Sequence, residues 1–242
     1  MPLSNDGLRD PRFEVTRWSK VLAARGDGAA AREALAYLCT HYWYPVYVFV
    51  RRQRNDPHDA EDLTQAFFEK LLEKERFDGV AQENGKFRAF LLASMKHFMA
   101  NNRDRERAQK RGGGRKLVSL DTGSAESRYA MEPVDHETPE RIFDRRWALT
   151  LLDHVLSRLR SEMAAGGREP LYEELKSSLT GQPAPYAEIA GRLGTTEGAV
   201  KVAAHRLRRR YRELVRLEVA QTVGDDEHVD EELRDLMAAL RP

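Results

Sequence analysis

Asp59 and Asp62 stand about one helical turn apart, a spacing that could set two carboxylates side by side for acid–base work. No third group and no glycine-rich phosphate loop accompanies them. The histidines are His41, His58, His97, His136, His154, His205 and His228, and none forms an HExxH motif or another ligand-spaced pair. Cys39 stands alone, so it can make neither an internal disulfide nor a cysteine metal cage, and its place in an apolar stripe suits packing. The expectation is a chain with no catalytic site, no metal and no cofactor.

The chemistry the sequence does offer is electrostatic. Lys and Arg total 40 against 39 Asp and Glu, and that balance hides blocks of opposite sign. Residues 56–75 hold seven acids against two lysines, a net of −5. Residues 101–116 hold seven bases against two acids, a net of +5, and residues 201–216 reach +6. Residues 218–242 return to −6, with eight acids against two arginines. Two basic stretches about a hundred residues apart suit two contacts to a polyanion, while the acidic stretches suit a basic protein surface.

The elements that must carry these groups read as helices throughout. A short helix is expected within residues 15–24. A longer one follows from residue 29 to about residue 53, with Leu35, Leu38, Tyr42, Val46, Phe49 and Val50 at helical spacing and Pro45 predicting a kink. After the turn at Asn55-Asp56-Pro57, Asp59 is expected to cap a helix whose apolar face is Ala60, Leu63, Phe67 and Leu71. Phe87, Phe90, Leu91, Ser94, Met95, Phe98 and Met99 mark the apolar face of another, running on into basic sequence as far as Gly112-Gly113-Gly114. A stripe from Ala148 to Leu159 begins a second helical unit. No strand and no internal repeat is evident.

The fold class is therefore all-α, as two helical domains joined by a flexible linker, the second a helix-turn-helix. The expected divisions are 12–111, a linker over 112–138, 139–217, and an acidic extension over 218–242. Charged residues make up 33% and hydrophobic ones 41%, which is too apolar for a disordered chain. No apolar run reaches 18 residues and the first residues lack a signal-peptide pattern, so the expectation is a cytoplasmic protein with no membrane contact.

The most specific local pattern spans residues 186–211. Ile189, Ala190 and Leu193 fit a short helix, Gly194 a left-handed turn, and Thr195 or Thr196 the cap of the next helix. Val200, Ala203, Ala204, Leu207, Tyr211 and Leu214 form the buried stripe of that helix, with Lys201, His205, Arg206, Arg208, Arg209 and Arg212 mostly opposite. A second helix so presented can enter a DNA major groove.

Taken in order, these segments resemble one family. Asp59-Ala-Glu-Asp-Leu-Thr-Gln-Ala-Phe-Phe is similar to the DAEDLxQExF segment of extracytoplasmic-function sigma factors of bacterial RNA polymerase, with Ala66 where the family has Glu. Lys86-Phe-Arg-Ala-Phe-Leu-Leu resembles the FRAWL-type helix that follows, and Tyr186-Ala-Glu-Ile-Ala with Gly198-Ala-Val-Lys resembles the YxEIA…GTVK segment of the C-terminal sigma domain. The resemblance covers about residues 15–216. It implies that Asp59, Asp62 and Gln65 dock the clamp coiled coil of core RNA polymerase. It implies that Lys96, His97, Asn101, Asn102, Arg103 and Arg105 meet the opened −10 element, with a base pocket over residues 78–85. It further implies that Thr196, Lys201, Val202, His205, Arg206 and Arg209 face the −35 duplex. The partners so implied are core polymerase and promoter DNA. The alternative is a helix-turn-helix regulator that binds duplex DNA without polymerase.

Residues 225–240 place Val229, Leu233, Leu236, Met237 and Leu240 on one helical face and acids on the other. A short isolated helix is marginal in water, so this one requires a surface. Sigma factors of the resembled type are restrained by an anti-sigma factor or by a terminal extension. The expectations are self-inhibition, with the extension folded against the first domain or the basic helix, or a plain extension of the C-terminal core.

Overall fold

The computed structural model describes residues 29–54, 56–72, 86–108, 123–130, 137–181, 184–223 and 228–241. The expected helix within 15–24, the base pocket over 78–85 and the triple glycine lie outside these residues. Ten helices and no strand are found among them. The first three are α1 (Ala29–Gln53), α2 (Pro57–Leu72) and α3 (Phe87–Ala108). Then come α4 (Gly123–Ala130), α5 (Pro139–Ala165), α6 (Glu169–Leu175), α7 (Ser177–Thr180), α8 (Tyr186–Leu193), α9 (Glu197–Ala220) and α10 (Val229–Ala239). The all-α reading therefore holds.

Local chemistry sets the helix ends. Asp56, rather than Asp59, caps α2: its Oδ1 accepts the Asp59 N–H at 3.1 Å, and Pro57 takes the first helical position, where its missing N–H costs nothing. The reason Asp59 fails as the cap is that it already lies inside the first turn. Thr138 caps α5 by accepting from the Arg141 N–H at 3.3 Å, again followed by proline. Pro45 lies within a continuous α1.

The core is organised by α5, whose 27 residues amount to a rod of about 40 Å at the usual rise. Its N-terminal part packs on α1. Trp147 stacks on Tyr42 with centroids 4.4 Å apart, and Phe143 meets Phe49 edge-on at 6.3 Å. Phe87, opening α3, reaches the same cluster, 5.3 Å from Tyr42 and 6.0 Å from Trp147. The C-terminal part of α5 packs on α9 through Val155, Leu159 and Met163. Arg210 of α9 grips Glu162 of α5 at 2.8 and 2.9 Å.

Two findings depart from a plain linker between separate domains. Helix α4 lies inside the stretch 112–138. It is fastened to α1 by Glu126, which accepts from Tyr47 Oη at 2.5 Å and from the Arg51 guanidinium at 3.0 and 3.2 Å, while Arg128 stacks on Tyr44 at 3.7 Å. The Arg51 guanidinium holds the Glu126 carboxyl below its ordinary range. Moreover, the N-terminal part of α5 shares its aromatic core with α1 and α3, so among the described residues one cluster of buried side chains extends from Tyr42 to Leu236.

The acidic extension also forms a helix, α10, which packs on the C-terminal helices and reaches the start of α3. Val229 and Leu236 are buried against α5 and α9, as a core extension requires. Its acidic side meets Lys86 and Arg88 at the start of α3. Met237 alone of the expected apolar face stays about half exposed.

Among the described residues Trp147 is the largest fully buried side chain, and it packs on Tyr42, Phe87 and Phe143. Trp147→Ala is expected to cost about 3–5 kcal/mol of folding stability, the range for emptying a large aromatic site. A urea titration followed by circular dichroism measures it.

Candidate polymerase and nucleic-acid interface

Helix α2 turns its apolar stripe inward. Ala60, Leu63, Phe67, Phe68 and Leu71 are buried, and so is Thr64, whose hydroxyl donates to the Ala60 carbonyl at 2.7 Å. That packing leaves Asp59 and Asp62 exposed and Gln65 half-exposed on the outer side. Gln65 donates to Glu69 one turn on, at 3.2 Å. The three residues expected to meet polymerase thus share an acidic row open to solvent, the arrangement a basic protein surface can pair with.

Helix α3 buries Phe87, Leu91, Met95 and Met99. Phe90 and Phe98 are partly buried against the same core, Phe98 lying 5.8 Å from Phe67. The phenylalanines therefore serve packing, as their spacing suggests. Lys96 and His97 are exposed, and Asn101 and Asn102 half-exposed, along the following turns. Arg103 and Arg105 continue the helix, with side chains outside the described set. Lys96 is engaged: its Nζ lies 2.8 Å from Glu140 at the start of α5. That ammonium holds the Glu140 carboxyl below its ordinary range, and both groups are nearly half exposed. Such a pair is cheap to exchange for another anion.

The last two helices of the basic region meet through a turn that the sequence dictates closely. Gly194 sits at φ +63°, the left-handed conformation that glycine adopts without a Cβ penalty. Thr196 then caps α9, its hydroxyl accepting from the Ala199 N–H at 3.2 Å. Ile189 and Ala190 of α8 are buried with Val200, Ala204 and Leu207 of α9. Thr196, Lys201, Val202, His205, Arg206 and Arg209 are all exposed. Lys201 pairs with Glu197 at 2.7 Å and Arg209 with Glu213 at 3.5 Å, one turn away in each case. Val202 and Arg206 also rim an open groove floored by Leu159, Met163 and Leu171.

Not every basic residue of α9 points outward. Arg208 donates to the Ser178 carbonyl at 3.3 Å and to the Tyr186 hydroxyl at 2.6 Å, fastening α9 to α7 and α8. Arg210 is committed to α5, and Arg216 pairs with Asp230 of α10. The exposed cationic face is accordingly narrower than the composition of the helix suggests.

Sequence reasoning missed the two cations that the structure surrounds most fully. Lys86 and Arg88 open α3 and are enclosed by carboxylates from α5 and α10. The signal available was the complementarity between a basic start of α3 and the net −6 of residues 218–242.

Among the described residues, no group of three or more His, Cys, Asp or Glu is placed to hold a metal ion. None of the described helices is long and apolar enough to cross a membrane. In comparisons with known proteins, the family model for Sigma-70 region 2 matches residues 38–109. That segment holds the C-terminal part of α1 together with α2 and α3. No curated protein and no solved structure matches the chain.

The turn before α9 gives a direct check on how this surface is presented. Gly194→Ala forces a side chain into the left-handed region and is expected to cost about 1–2 kcal/mol. Chemical denaturation reads the loss, and no loss would show that α8 and α9 do not depend on that turn.

Proposed function

We propose that this chain is a sigma factor of the extracytoplasmic-function type, which binds core RNA polymerase and directs it to promoters. The observation that carries the reading is the match of Sigma-70 region 2 to residues 38–109. The matched segment contains an exposed acidic row on α2 and an exposed polar and basic row on α3. Members of the sigma-70 family are transcription initiation factors and not enzymes; the polymerase performs the chemistry. The role so assigned operates in the cytoplasm.

In this reading residues 12–111 serve the polymerase and the −10 element. Asp59, Asp62 and Gln65 dock on a basic surface of the polymerase. Lys96, His97, Asn101, Asn102, Arg103 and Arg105 follow the unpaired strand, whose bases leave the stack at a cost of a few kcal/mol. Residues 139–217 serve the −35 duplex as a helix-turn-helix. Lys201, Arg206 and Arg209 are suited to guanine edges or phosphates, a good bidentate contact being worth about 1–3 kcal/mol of discrimination. Val202, exposed on the same helix, suits a thymine methyl. Residues 112–138 connect the two functions, with α4 within them.

Run-off transcription with core polymerase tests the proposal. Transcript initiated at a defined start only when the chain is added is the expected result. Duplex binding without any such transcript would favour the polymerase-independent regulator.

The acidic row makes a charge-specific expectation. Asp62→Arg places a cation where a basic partner must dock, so affinity for core polymerase should fall at least tenfold in a titrated pull-down, with helical content unchanged. Equal affinity would remove α2 from the contact.

Duplex binding should be steep in salt, because phosphates that pair with Lys and Arg release counterions. Arg206→Ala is expected to relax base preference, whereas Arg212→Ala, exposed further along α9, should weaken binding to all duplexes alike. A logarithmic salt slope near zero would contradict both.

A further inference from the structure

Arg208 differs from the other arginines that the fold turns inward. Arg51, Arg88 and Arg210 each meet a carboxylate, those of Glu126, Glu232 and Glu162 in turn. Arg208 is half-buried and meets none among the described residues. Its Nε donates to the Ser178 carbonyl at 3.3 Å and its Nη2 to the Tyr186 hydroxyl at 2.6 Å, both neutral acceptors. The N–H groups on Nη1 have no partner among the described residues. His205 and Arg212, exposed one turn before and one turn after it on α9, have no hydrogen bond or ion pair among those residues either. Glu213, the one acid within residues 201–216, is committed to Arg209 and Arg210.

These groups line one recess. Ser178 and Leu179 of α7 and His205, Arg208, Tyr211 and Arg212 of α9 surround about 480 Å³ open to solvent, a volume within the range of small-molecule sites. The Ser178 hydroxyl is buried and has no hydrogen-bond partner among the described residues. Such an orphaned group costs free energy until something completes its bonding. A guanidinium fork matches phosphate oxygens two at a time. Two arginines without carboxylates therefore suit a pair of linked phosphates, and Leu179 and Tyr211 offer apolar and aromatic surface beside them for a flat ring. A duplex lays its phosphates along a convex ridge, which a recess does not fit. Of the six lining residues only His205 belongs to the row assigned to the −35 duplex.

We propose that the recess between α7 and α9 is a binding site for a nucleoside diphosphate. Arg208 and Arg212 hold the phosphates, the Ser178 hydroxyl donates to a phosphate oxygen, His205 adds a further donor, and Leu179 and Tyr211 flank the base. The site recognises its ligand and makes or breaks no bond. The inference goes beyond the sigma reading and does not rest on it, because the recess belongs to α7 and α9 whatever DNA the helix-turn-helix reads. A bound nucleotide supplies the counter-charge that Arg208 lacks and joins α7 to α9 by more than the two hydrogen bonds of that arginine. Binding to the folded chain alone therefore raises its stability in proportion to the logarithm of ligand concentration.

The test uses the full chain with mant-ADP and mant-GDP as probes, followed by fluorescence anisotropy. Unlabelled ADP, GDP, inorganic pyrophosphate, adenosine and guanosine serve as competitors. The expected result is saturable binding of one probe per chain, displaced by the diphosphates and pyrophosphate and not by the nucleosides, with a thermal midpoint that rises with nucleotide concentration. Ser178→Ala should weaken nucleotide binding about threefold and leave the thermal midpoint of the free chain unchanged or higher, because an unsatisfied buried group is gone. Arg208→Lys keeps the charge and removes the fork, so nucleotide affinity should fall about fivefold. Circular dichroism confirms folding, and if Arg208→Lys does not fold, Ser178→Ala decides alone. Arg206→Gln with Arg209→Gln removes two exposed cations from the neighbouring face and should lower duplex affinity while leaving nucleotide affinity within about twofold. No saturable binding, unchanged nucleotide affinity in either recess variant, or an equal loss in the Arg206 and Arg209 control each overturns the proposal. A labelled DNA duplex titrated with the same variants separates the two sources of phosphate: if Ser178→Ala weakens the duplex and not the nucleotide, the recess serves the DNA backbone and the proposal fails. Absent nucleotide binding in a chain that supports run-off transcription removes the inference and leaves the sigma reading. Nucleotide binding in a chain that supports no transcription does the reverse.

Discussion

The burial of Trp147 between Tyr42, Phe87 and Phe143 is the constraint from which the rest of the arrangement follows. Stacked and tilted aromatic contacts of this kind add to an already large apolar burial. The cluster fixes three helices at once, because its members come from α1, α3 and α5. With the N-terminal part of α5 held there, its C-terminal part carries α6 and α9 at a set distance. The outward direction of α3 and α9, and hence of every polar group assigned to a partner, is decided by what these helices must bury.

Charge then acts on a frame that apolar burial has built. Surface pairs such as Lys201 with Glu197 or Lys96 with Glu140 are exposed and exchangeable, and they contribute little to stability. The pairs that bridge elements are of another sort. Glu126 with Arg51, Glu162 with Arg210 and Glu232 with Arg88 each join an arginine fork to a carboxylate on a different helix. The planar fork suits such positions because it satisfies both oxygens at once. The same residue type thus serves two purposes along α9, and neighbours such as Arg209 and Arg210 differ only in which way the helix turns them.

Much of this was legible in the sequence where one helix could be judged by itself. The stripe Phe87, Leu91, Met95 and Met99, the left-handed Gly194 and a threonine cap at Thr195 or Thr196 follow from periodicity and local backbone chemistry, whereas the row Asp59, Asp62 and Gln65 was singled out by the resemblance. What escaped was pairing between distant segments. Aromatic residues at Tyr42, Phe49, Phe143 and Trp147 announce burial but not one another. Helix α4 escaped because residues 123–130 have few apolar groups, and its anchorage is a buried-edge carboxylate and a cation over a ring. In α9 nearly every outer and flanking position is basic, so the inward turn of Arg208 and Arg210 left no trace in composition. The tail was read as requiring a surface, and the two surfaces weighed as alternatives are both used by one helix.

The long separation along the chain between Lys86 and the carboxylates that cover it, 145 residues to Glu231 and 149 to Asp235, has a consequence in time. A ribosome adding about 5–20 residues per second needs roughly 7–30 s to cross that interval. During it α1 to α3 have left the tunnel while α10 does not yet exist. Until then the nascent chain lacks the carboxylates of α10 that pair with Lys86, and it lacks Trp147 as well until some sixty residues beyond Lys86. Glu231 and Asp235 are made long after Lys86, so the start of α3 can be neutralised by them only once α10 has been made.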